Sequence, residues 1–166
     1  MTLGNPTDLP YRKGVGALLF DRRGRVLVAQ RVDTPGAWQL PQGGIDEGED
    51  PEEAVRREVK EELGTDRFEI VAETPGWLRY DLPEALQGRI WGGRYRGQEQ
   101  RWYALRFTGA DADINLAASG HPEFDAWRWA AVDELPALAV WFKRPLYEDL
   151  VSQFRHLGTA ASTDLG

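Results

Sequence analysis

Residues 50–64 constrain this chain more than any other stretch. Asp50 is suited to cap a helix and Pro51 to open it, Glu53 stands three residues after the cap, and Gly64 suits a C-terminal cap, so a helix over residues 51–63 is predicted. Within it Val55, Val59 and Leu63 recur at i, i+4 and i+8 and form an apolar stripe able to dock on a sheet. Glu58, Glu61 and Glu62 fall at i, i+3 and i+4, which brings three carboxylates onto one face within a single turn. One side of this helix is built for burial and the other collects like charges, each pair costing a few tenths of a kcal/mol in a bare helix. Taken alone, three such glutamates read either as a solvated charged face or as ligands for a cation that offsets the repulsion. Hard oxygen donors favour Mg²⁺, Mn²⁺ or Ca²⁺ over zinc, and Mg²⁺ combines a few carboxylates with water and substrate phosphates.

The rest of the chain supplies a sheet for that helix. Residues 14–20 and 26–31 are short apolar runs separated by an Asp21-Arg-Arg-Gly24 turn, which is a hairpin signal. A loop punctuated by Pro35, Gly36, Pro41, Gly43, Gly44 and Gly48 leads into the Glu helix. Strand-like runs follow at 68–72, 77–80 and 101–107, with Trp91-Gly-Gly93 in a loop between the last two. Residues 135–138 suit a helical turn and 142–157 a longer helix. At 166 residues and 42% hydrophobic content the expectation is one domain over 10–157, flanked by loose tails at 1–9 and 158–166. The fold class expected is α+β, a layered α/β/α sandwich with a mixed β-sheet.

Composition removes several function classes. The chain has no cysteine, so a disulfide framework, a thiolate zinc site and a Cys nucleophile are excluded. No window approaches the ~18 consecutive apolar residues of a membrane span. Residues 1–10 lack the blocks of a signal peptide, so a cytoplasmic protein without a membrane anchor is expected. A net charge of −7 argues against an extended basic surface for nucleic acid. The charge is uneven, with nine acidic residues between Asp46 and Glu62 and five arginines against the single Glu99 between Arg89 and Arg106. An acidic pole for divalent ions beside a basic stretch for phosphates suits an anionic substrate.

Gly43, Glu49, Arg57, Glu58, Val59, Glu61, Glu62 and Gly64 together resemble the Nudix box, Gly-x5-Glu-x7-Arg-Glu-apolar-x-Glu-Glu-x-Gly-apolar, at every position but the last, where Thr65 replaces an aliphatic residue. That resemblance implies a hydrolase of phosphoanhydrides and a Nudix fold whose box is a loop-helix-loop. It implies that Glu58, Glu61 and Glu62 bind Mg²⁺, with Mn²⁺ or other divalent cations as substitutes, and that one of them deprotonates the attacking water. Arg57 would then orient the glutamates by ion pairing, and Gly43 and Gly44 would let backbone come close to metal or phosphate.

Segments outside the box resemble one branch, the bacterial RNA pyrophosphohydrolases and the similar dinucleoside polyphosphate hydrolases. They are Tyr11-Arg12, Trp38-Gln-Leu-Pro-Gln-Gly-Gly44, Trp77-Leu-Arg-Tyr80, Gly97-Gln-Glu-Gln-Arg-Trp102, Pro122-Glu-Phe-Asp125 and Phe142-Lys-Arg144. The likeness implies a further metal-binding glutamate at Glu123, phosphate contacts at Arg12, Arg31 and Lys143, a base-stacking Phe142 and an active-site Tyr80. It implies action on the 5′ end of RNA, as in mRNA decay, or on a dinucleoside polyphosphate; a monomer is the expectation, although nothing in the sequence encodes the oligomeric state. A housecleaning nucleoside triphosphatase and a catalytically inactive nucleotide sensor are the other readings, and the intact glutamates count against the sensor. Trp102, Trp127 and Trp129 lie in strand-like segments and are expected in the core, and His121 and His156 are expected to be structural.

Overall fold

Strand β1 (Tyr11–Phe20) is buried continuously from Gly14 to Phe20, which is why its sequence is an apolar run without polar alternation: both of its faces are covered. The computed structural model describes residues 8–163, with side chains described as far as Gly158. The proposed tail at 1–9 and the last three residues of the tail at 158–166 lie largely or wholly outside the described residues.

On one edge β1 runs parallel to β7 (Gly97–Phe107) over its whole length, from Tyr11 opposite Gly97 to Phe20 opposite Arg106. On the other edge it meets β2 (Val26–Arg31) near Phe20 and the short β4 (Gln42–Gly44) at Gly14–Gly16, both antiparallel. The far edge of β7 is shared in the same way. Its second half pairs with β5 (Phe68–Glu73) and its first half with β6 (Leu78–Asp81). Strands β3 (Trp38–Gln39) and β8 (Phe124–Ala130) complete the sheet against β2.

Side-chain alternation divides two cores. Val15, Ala17 and Leu19 of β1, Leu27 and Ala29 of β2 and Tyr103 and Leu105 of β7 pack with Ala54, Val55, Val59 and Leu63 of helix α1 (Pro51–Leu63). Leu18, Phe20, Val26, Val28, Trp102 and Ala104 face Leu146, Tyr147, Leu150 and Phe154 of a second long helix on the opposite face. A mixed sheet between two helical layers is the α+β sandwich expected. The remaining helices are single turns, α2 (Glu84–Gln87) and α3 (Leu135–Leu138), and the second long helix is α4 (Arg144–Thr163). No described helix is long and apolar enough to cross a membrane.

Helix α1 has the predicted bounds, with Gly64 in the left-handed region at φ 73° and its N–H donating to the Lys60 carbonyl. The predicted cap differs. Asp50 is extended but makes no side-chain capping hydrogen bond, so Pro51 and the first-turn acids Glu52 and Glu53 carry the start. Thr65, at the position where an aliphatic residue is expected, is buried, and its hydroxyl accepts the Arg67 N–H at 3.1 Å. The C-terminal helix also differs from its predicted bounds of 142–157. It continues to Thr163, and it starts only at Arg144, since Trp141–Lys143 form a separate 3-10 turn.

Candidate active site

The loop before α1 is tied to the helix by one side chain. Arg57 donates to both carboxylate oxygens of Glu49 (2.8 and 2.9 Å), to the Gly44 carbonyl (2.9 Å) and to Glu58 Oε1 (2.7 Å), with a longer contact to Glu61 (3.4 Å). The hydrogen bonds from Arg57, joined by the Asp46 N–H, hold the Glu49 carboxyl down at about 2. Gly43 sits so close to Glu58 that a Cβ there would land on the Glu58 carboxyl group. Only glycine permits that approach.

The three helix carboxylates occupy different environments. Glu61 is half exposed. Glu58 is shielded, and burial raises its carboxyl against the opposing pull of Arg57. Glu62 is buried and accepts the Gln42 N–H at 3.3 Å; burial, then the nearby charges of Glu123 and Glu58, raise it well above the usual carboxylate range. Among the described residues no three of these side chains converge on one point. The donor set nevertheless fits a hard divalent cation: it is all oxygen, and a buried Glu62 beside Glu58 and Glu123 is a concentration of negative charge that such an ion relieves.

Beside the helix lies a cavity of about 540 Å³. Gly43, Glu58 and Glu123 line it, and so do Arg12, Arg31, Tyr80, Phe142 and Lys143, all predicted as substrate contacts. Glu61, Glu62 and Arg57 stand outside its lining. The 3-10 turn, rather than helix α4, carries Phe142, whose ring lies 6.0 Å from that of Tyr80 at 37°. Lys143 is buried with Nζ 5.2 Å from the Tyr80 ring centre; desolvation, with Arg31 adding to it, lowers its ammonium to about 8.

The arginines differ in pairing. Arg31 is held bidentately by Asp33 (2.9 and 2.8 Å), which drops the Asp33 carboxyl to about 2. Arg12 has no carboxylate partner among the described residues and lies under Trp91, 5.3 Å from its ring centre. Trp91, Gln42 and Gln98 also line the cavity; the sequence marks Trp91 only as part of a loop, and Gln42 and Gln98 only as members of the segments 38–44 and 97–102, with no role of their own.

The fold and the box define a class of protein, and the comparison with known families names it: residues 10–150 match the NUDIX domain, and the chain belongs to that family. Among curated proteins it is 63% identical over 145 residues to the RNA pyrophosphohydrolase of Rhodospirillum rubrum, covering 87% of each chain. It is 56% identical over 162 residues to the RNA pyrophosphohydrolase of Gluconacetobacter diazotrophicus, covering 93% of this chain and 97% of that one. Among solved structures it is similar to the E. coli dihydroneopterin triphosphate pyrophosphohydrolase, with TM-score 0.67, 24% identity and coverage of 87% and 99%. It is also similar to a C. elegans Ap4A hydrolase binary complex, with TM-score 0.63, 20% identity and coverage of 87% and 98%. At these identities the structural likeness is one of fold.

Proposed function

We propose that this chain is a metal-dependent RNA pyrophosphohydrolase, which removes pyrophosphate from 5′-triphosphorylated RNA and leaves a 5′-monophosphate. One observation carries the reading: a single cavity is lined both by carboxylates, Glu58 of the helix and Glu123, and by an aromatic pair, Tyr80 and Phe142, with Arg12 and Lys143 beside them. Such a cavity can hold a nucleotide end by its base and its phosphates together. The identity to proteins named RNA pyrophosphohydrolase supports the substrate.

In this reading Glu58, Glu61, Glu62 and Glu123 hold Mg²⁺, with Mn²⁺ as an alternative. When bound there, such an ion would supply positive charge against the phosphate oxygens and lower the pKa of an attacking water. Arg57 keeps Glu58 and the loop in register, and Gly43 leaves room for the Glu58 carboxyl. Arg12, Lys143 and Arg31 meet the phosphate chain, and Phe142 stacks on a base. Catalysis is then mostly positioning and charge stabilisation. The protein works in the cytoplasm as a monomer.

The test is to rank kcat/KM for 5′-triphosphorylated RNA, diadenosine tetraphosphate and free nucleoside triphosphates in Mg²⁺. Triphosphorylated RNA ranks first; a clear preference for diadenosine tetraphosphate would assign the site to dinucleoside polyphosphates instead.

A further inference from the structure

Behind the cavity wall a run of amides is oriented by a residue that does not line the cavity. Trp102 of β7 is fully buried and its indole Nε1 donates to Gln100 Oε1 at 3.2 Å. An indole N–H can only donate, so Gln100, itself fully buried, must turn its oxygen toward Trp102 and its nitrogen away. Gln100 Nε2 then donates to Gln42 Oε1 at 2.8 Å and to Gln98 Oε1 at 3.3 Å. With its oxygen engaged, Gln98 gives its Nε2 to the Tyr80 hydroxyl at 2.9 Å. Reversing Gln100 would set donor against donor at Trp102, in a buried site where an unmet polar group is costly.

The relay ends in unspent donors. Among the described residues the Gln42 Nε2 protons have no acceptor, and the Tyr80 hydroxyl, which already accepts from Gln98, has none for its own proton. Both residues line the cavity. Gln42 adjoins Gly43, gives its backbone N–H to Glu62 and shares the cavity lining with Glu58 and Glu123, so it stands among the carboxylates where a phosphate chain would lie.

We propose that Gln42 donates an Nε2–H to a non-bridging phosphate oxygen of the substrate, and that Trp102 and Gln100 are positioning residues which hold the Gln42 amide in the donating sense. This rests on the cavity being the phosphate site, as proposed above. A cavity wall polarised in this way discriminates for acceptors and against a ligand that presents a donor at the same place.

Calorimetric binding of a methylene-bridged nucleoside triphosphate in Mg²⁺ reads the contact without turnover. Gln42→Leu should raise Kd about tenfold, the loss typical of a hydrogen bond to a charged group. Gln42→Glu still accepts from Gln100 but presents an oxygen to the phosphate, and should weaken binding at least as much. Trp102→Phe should raise Kd about threefold in the wild-type background and leave it unchanged in the Gln42→Leu background, because the two act through one group. Gln100→Met, which nearly keeps the volume, repeats the cycle if Trp102→Phe does not fold. An unchanged Kd in Gln42→Leu overturns the contact, and equal weakening in both backgrounds means that Trp102 acts by packing and overturns the relay. Hydrolysis of triphosphorylated RNA by the wild type, measured alongside, separates the two readings: a protein that shows this binding pattern without cleaving RNA keeps the relay and loses the proposed function.

Discussion

The Glu58 carboxyl group occupies the space over Gly43 that any larger residue would need for its side chain. Gly43 is paired with Val15 inside the sheet, so Gly43→Ala leaves the backbone ladder intact and pushes Glu58 off its place. Turnover should fall by roughly 100-fold, the scale of a 1 Å misplacement in an active site. Thermal melting should change little. Steady-state rates with a melting curve on the same sample check this; a normal rate would show that the position of Glu58 is unimportant.

Arg57 makes a forked contact to Glu49 and reaches Gly44 and Glu58 with its remaining donors. Lysine has no planar fork. Arg57→Lys should therefore cost about 2 kcal/mol of stability, the range for charge-assisted hydrogen bonds left unmade, and should lower kcat more than it raises KM. Urea unfolding and steady-state kinetics measure the two parts.

The same contact makes an acid-stability prediction. Glu49 is held at about 2 in the folded protein, below its ordinary 4.5, so its stabilising contribution is complete above the ordinary value and is lost as pH falls through about 2. Glu49→Gln should be less stable than the wild type at neutral pH, and the gap should narrow between pH 4.5 and 2. A gap independent of pH would mean that the charge on Glu49 contributes nothing.

Lys143 is a buried cation in the cavity lining. Its ammonium titrates at about 8 because burial disfavours the charged form, so substrate affinity should weaken as pH rises through that value. The sign for stability is opposite. The unfolded chain holds that proton up to about 10.5, so between 8 and 10.5 folding gains as pH rises. In Lys143→Met the rise of KM above pH 8 should vanish. A pH profile of kcat/KM in both proteins decides it.

Local signals were legible and non-local ones were not. Pro51 and Gly64 mark the bounds of α1 because a proline and a left-handed glycine act on their own backbone. The apolar runs gave β1 and β2 for the same reason. Strands β3 and β4 were not legible, since strands of two or three residues exist only through pairing with β2 and β1. Phe142 and Lys143 read as the start of a helix, yet they form a turn of their own before Arg144. The pairing of Arg12 with Trp91, and the amides joining Trp102 to Gln42, depend on which strands lie beside β1 and β7. No spacing in the chain encodes them.

Product analysis of triphosphorylated RNA labelled in its γ-phosphate, with Mg²⁺ and with a chelator, in the wild type and in Glu62→Gln, goes to the heart of the matter. Glu62 is the carboxylate whose burial among like charges most calls for a cation. The wild type should release label as pyrophosphate and leave a monophosphate end, and both the chelator and Glu62→Gln should lower the rate by orders of magnitude with the fold intact. Near-normal rates in Glu62→Gln, or turnover that survives removal of divalent ions, would contradict the assignment of the glutamate helix as the metal-holding end of this site.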